Sequence, residues 1–143
     1  MRWSVVLLML ISINVFAQSE IEKRIAERTD LDKPINEEEV CGVFLLLEEE
    51  MNKDLPKKVD EITELIQVKV NCENKNITYT RRILVVDSQM ADGWKARKQR
   101  QWVQLMCNKD GIASQAKWTA RDVMVDVNYD YLVTLTASPE DCK

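Results

Sequence analysis

Four cysteines, Cys41, Cys72, Cys107 and Cys142, are the residues whose chemistry this sequence constrains most. A structural zinc site brings its ligands in close pairs such as C-x-x-C, with histidines nearby. Here each cysteine stands about 30 residues or more from the next, and the chain has no histidine. No C-x-x-C redox motif is present either. Two disulfides are therefore expected, which requires an oxidising compartment. Four cysteines allow three connectivities, and spacing alone does not choose among them.

The same absence of histidine removes Ser-His and Cys-His nucleophile systems, the histidine general base and the histidine metal ligand. With only Gly42, Gly93 and Gly111, there is no glycine-rich phosphate loop. Paired carboxylates remain as acid and base candidates: Glu48, Glu49 and Glu50, or Asp122 and Asp126. Consecutive acids on a helix point in different directions. Asp122 and Asp126 would share a strand face opposite Val123, Val125 and Val127. Both sets are therefore expected to be solvated, and no catalytic residue, metal or cofactor is assigned.

One stretch has the composition of a binding surface. Lys95, Arg97, Lys98 and Arg100 form a basic run flanked by Trp94 and Trp102. A positive, aromatic-edged helix in an acidic protein would dock an acidic partner or anionic lipid. The alternative is that the tryptophans, eight residues apart and so close to one helix face, belong to the core while the cations are simply solvated.

The elements that must position these residues begin with a leader. Arg2, the apolar run from Val5 to Val15 and the Val15-Phe16-Ala17 segment read as a signal peptide over residues 1–17. The run is shorter than the roughly 20 residues a spanning helix needs. No cysteine follows it to take a lipid, so no stable membrane anchor is expected. Cleavage would leave 19 basic and 24 acidic residues, a net charge of −5. That argues against nucleic acid as a partner, because phosphate backbones need a clustered basic surface. The expected location is periplasmic or secreted.

Residues 18–36 read as a peripheral helix, with Ser19 and Glu22 as a capping box, followed by a linker ending near Pro34. Residues 37–143 read as one domain. Its first helix carries Val40, Val43, Phe44, Leu47 and Met51 at helical spacing and closes at Leu55-Pro56. The period then changes to two. Ile62, Ile66, Val68, Val70 and Cys72 alternate with polar residues, Glu73 to Asn76 turn, and Ile77 to Val86 return as a strand. Asn76-Ile77-Thr78 matches a glycosylation sequon but reads as part of that turn. Ser88 would cap a second helix ending at Asn108 to Gly111, and two further strands, Trp118 to Val127 and Tyr129 to Thr136, complete the chain.

The order predicts an α+β fold, α-β-β-α-β-β, in which helices cover one face of a four-stranded antiparallel sheet stapled by disulfides. That layout favours bridges from Cys41 to Cys72 and from Cys107 to Cys142. Each would close a loop worth about 3 to 4 kcal/mol in the chain-entropy picture.

The segment Leu55-Pro56-Lys57-Lys58-Val59-Asp60-Glu61-Ile62-Thr63-Glu64-Leu65, with Tyr79 after it, resembles a recurrent L-P-x-x-V-D-x-x-T-x-L segment. It occurs in a loose group of small exported bacterial proteins, mostly Gram-negative and of unsettled activity. Cys107 at a helix end and the closing Cys142 look like the group's paired cysteines, over a shared span of about residues 51–142. Cys41 and Cys72 are an additional pair, and the group's glycine-bearing final turn is missing near Tyr129. The resemblance implies a fold and a compartment.

Two functions fit. One is a non-enzymatic protein-interaction module of the envelope, such as an assembly accessory factor, or an inhibitor or immunity protein, meeting an acidic extracytoplasmic partner. The other is a small-molecule binder with a pocket between sheet and helix.

Overall fold

The computed structural model describes residues 37–143. The leader and the peripheral helix and linker expected over residues 18–36 lie outside the described residues. Helix α1 (Glu37–Lys53) is followed by a short strand β1 (Lys57–Lys58) and the hairpin β2 (Thr63–Asn71) and β3 (Asn76–Ile83). Helix α2 (Trp94–Met106), a π-turn over Ile112–Ala116, and strands β4 (Thr119–Val125) and β5 (Tyr131–Ala137) complete it. Three glutamates in the first turn of α1 and Lys53 in its last suit the helix dipole at each end.

The sheet has five strands rather than four, in the order β1-β2-β3-β4-β5. The extra one arises where Leu55-Pro56 stops α1 and leaves Lys57 and Lys58 extended beside Leu65 and Glu64. The sheet is also not wholly antiparallel, because β3 and β4 run parallel. Helix α2 is the reason: it carries the chain from Ile83 back along the sheet, so that β4 starts at the end where β3 started.

A bulge between Leu65 and Gln67 corrects the expected facing of β2. The extra residue reverses the alternation, since side chains on a strand repeat every two residues. Thr63 and Leu65 are buried in place of Ile62, which is 43% exposed, and Ile66. Asn76, expected in the turn, opens β3 and pairs with Asn71.

Across the sheet, Val70, Ile77, Ala120 and Ala137 stand side by side, and all are buried. Phe44, Leu47 and Met51 of α1 and Trp94, Trp102 and Met106 of α2 join them in one hydrophobic cluster. Both helices thus pack on the face that this row presents. The π-turn closes one end through Ile112 and Ala113, beside Trp118. The Phe44 and Trp118 rings meet edge to face at 4.7 Å.

Two disulfides tie helices to the sheet, Cys41 to Cys72 and Cys107 to Cys142, with Cα atoms 5.5 Å and 5.0 Å apart. This is the pairing that the order of elements favours.

Candidate functional site

Helix α2 starts later than Ser88 suggests. Gly93 takes a left-handed φ of +73°, which separates the helix from a 3-10 turn at Asp87–Gln89. Asp87 supplies the polar contact at this end, accepting the Trp94 indole N–H at 2.8 Å. That bond, helped by Lys95, holds the Asp87 carboxyl below its usual range.

The structure divides the basic run and its tryptophans. Trp94 and Trp102 are 7% and 8% exposed and face the core. Their indole nitrogens are satisfied, Trp94 by Asp87 and Trp102 by the Ala120 carbonyl at 3.0 Å. Four cations stay at the surface. Lys95 pairs with Asp87 at 3.5 Å and lies over the Trp94 ring, and Arg97 donates to the Asp92 carbonyl at 2.7 Å. Lys98 and Arg100 are exposed and have no ion-pair partner among the described residues.

Beneath α2, Asp122, expected from the sequence to be solvated, forms a buried ion pair. Asp122 is fully buried and held two-pronged by Arg81, whose Nε donates to Oδ1 at 2.9 Å and whose Nη2 donates to Oδ2. The valines do not take the core face of β4. Ala120, Asp122 and Met124 face inward, and the row Tyr79, Asp122, Leu135 crosses the sheet under the helix. Tyr79 meets the Trp102 ring edge to face at 5.9 Å, and Arg81 lies 6.0 Å from the same ring. Burial raises the Asp122 carboxyl above its usual range against the opposing pull of Arg81. Burial, followed by the Asp122 charge, also raises the Tyr79 phenol.

Asp126 is buried as well, as the organiser of the β4-β5 turn. Its Oδ1 accepts from Asn128 N at 2.7 Å and Asp130 N at 3.0 Å. Of the α1 acids, Glu48 accepts the Val70 N–H at 2.7 Å, while Glu49 and Glu50 face Lys53. The carboxylates considered for acid and base work are thus committed to guanidinium, ammonium or backbone partners. No group of three metal-ligating side chains occurs among the described residues.

Two residues that the composition did not single out fix the helices to the sheet. Gln99 of α2 donates to the Thr136 carbonyl at 2.8 Å and accepts the Thr136 N–H at 3.1 Å, so its amide acts as one residue of a neighbouring strand. Asn52 of α1 does the same at Val68, with distances of 2.7 Å and 3.0 Å. A neutral amide between Lys98 and Arg100 is the only sequence signal of the Gln99 role.

The sequence matches no family model and no curated protein. Among solved structures, the chain is similar to the pilotin EpsS from the Vibrio vulnificus type 2 secretion system. The two share 10% identity at a TM-score of 0.52, over 91% of this chain and 98% of the pilotin. At that identity the likeness is one of fold.

Proposed function

We propose that this protein is an exported, non-enzymatic interaction module that serves the assembly of an envelope complex, using the cations of α2 to meet an acidic region of a protein partner. The observation that carries the reading is the fold shared with a type 2 secretion pilotin along nearly the whole of both chains. Other features support it. Two disulfides suit an oxidising compartment, consistent with the leader read from residues 1–17. Among the described residues, no helix is long and apolar enough to cross a membrane. Lys95, Arg97, Lys98 and Arg100 place positive charge on one exposed helix of an acidic chain, which favours encounter with an acidic surface. Kinship with the group of exported proteins that the Leu55 to Leu65 segment resembles belongs to the same proposal.

The test is a pull-down from periplasmic extract with the oxidised mature protein, repeated with Arg97→Glu, Lys98→Glu and Arg100→Glu combined. An envelope protein retained by the native chain and lost by the variant is expected. A partner indifferent to the reversal rejects the surface, and recovery of no envelope protein rejects the function.

A further inference from the structure

The two borders of the sheet are finished differently. On β2, Asn52 takes both backbone groups of Val68 and Glu48 takes the N–H of Val70, while β1 pairs at Glu64 and Leu65. On β5, Gln99 takes both groups of Thr136. Backbone groups along one strand edge alternate with a period of two. Thr134 therefore turns its N–H and C=O to the same outer side as Thr136. Among the described residues nothing meets them.

The residues of β5, Tyr131 to Ala137, include no lysine and no proline, the usual guards of an open edge. The opposite border of the sheet is Lys57-Lys58. Tyr131, at the start of β5, is 66% exposed.

Resting on the reading above that the partner is a protein, we infer that the β5 edge around Thr134 accepts an added strand from an extended, acidic segment of that partner, with Arg100 pairing one of its carboxylates. The roll of α2 places that cation. Trp102 points to β4 and Gln99 to the outer side of β5. Arg100 lies about 100° further round in the same sense, above the rim. Strand addition of this kind draws affinity from main-chain hydrogen bonds and selectivity from flanking side chains. A second copy of this chain is the poorer occupant. A two-fold β5-β5 seam would set both α2 helices on the same side, each turning Arg100 toward the other.

The experiment uses the full mature protein in its own cell, with a photoreactive benzoylphenylalanine at Ala96 or Tyr131 beside the edge, and at Lys98 or Leu45 away from it. The captured segment is then synthesised and titrated into the native protein. Adducts from positions 96 and 131 to one extended, acid-bearing segment are expected. Its affinity should fall about tenfold when N-methylation blocks one edge-facing amide of the peptide, as for one lost main-chain hydrogen bond in a dry ladder. Thr134→Pro should weaken binding similarly, and Arg100→Glu should too. Thr134→Val should leave it unchanged. Adducts confined to positions 98 or 45 overturn the edge site while preserving the interaction module. Adducts to a second copy of this chain, or a peptide indifferent to N-methylation, also overturn the edge site. No adduct from any position overturns both.

Discussion

The α1 half and the α2 half of this molecule solve one problem with matched parts. In each, a helix offers a side-chain amide to strand backbone at a border of the sheet, Asn52 to Val68 and Gln99 to Thr136. In each, a disulfide joins the same helix to chain just beyond that strand, Cys41 to Cys72 and Cys107 to Cys142. The halves differ in what they add. The α1 half adds Glu48 at Val70 and the β1 lysines, and so seals its edge. The α2 half adds a buried ion pair beneath the helix and cations above it, and leaves Thr134 open. Similar anchoring thus supports a closed border on one side and a receptive one on the other.

The largest effect should come from the staples. Replacing either cysteine pair by serines should cost about 3 to 4 kcal/mol in denaturant unfolding, and the two losses should agree within about 1 kcal/mol because the loops are similar in length. A strongly unequal pair would break the equivalence of the two anchors.

Next in size is the ion pair, which belongs to the α2 half alone. Arg81→Met leaves Asp122 buried without its partner and should cost about 3 kcal/mol, the low end for such a break because Arg81 is partly exposed. The pair also sets a pH dependence. The Asp122 carboxyl titrates above its ordinary value in the folded chain, so between those two values the folded state holds a proton that the unfolded state has lost. Stability contributed by this group is therefore present below the window and falls as pH rises through it. Asp122→Asn should remove that slope from melting curves recorded against pH, and an unchanged slope would assign it to other groups.

Smaller again are the amide docks. Asn52→Ala and Gln99→Ala should each cost about 1 to 3 kcal/mol, since each leaves backbone groups at a border of the sheet unmet. Asn52→Ala should be the more costly, because its Nδ2 also donates to the Glu48 carbonyl at 2.8 Å and so steadies the neighbouring edge contact. At the bottom of the scale, Lys95→Ala should change stability by no more than about 0.5 kcal/mol, as its pair with Asp87 is exposed.

How much of this was legible in the chain varies from one element to the next. Both helices and the first hairpin announce themselves through spacing, as Phe44, Leu47 and Met51 or Trp102 and Met106 show. The bulge did not. Ile62, Leu65 and Ile66 are all apolar, so either phase of alternation satisfies the pattern, and only pairing with β3 decides it. The parallel contact of β3 with β4 follows from where α2 leads the chain, which local preference does not encode. At β4 the valines masked the true face: Val123 and Val125 have the strand-forming side chains, yet Ala120 and Met124 join the buried cluster that includes Trp102, and Arg81 makes burial of Asp122 tolerable. Among the site residues, the exposed cations were legible from charge alone. Gln99 and Asn52 were not, because a polar amide beside charged neighbours reads as a solvated side chain until its strand is in place.

The difference between the two edges is open to one direct measurement, amide hydrogen exchange on the intact, oxidised protein without any partner. The N–H groups of Val68, Val70 and Thr136 should be protected, each by its side-chain acceptor, while that of Thr134, in the same sheet and two residues from a protected neighbour, should exchange rapidly. Strong protection at Thr134, matching that at Thr136, would mean that the β5 edge is already closed and would contradict the account.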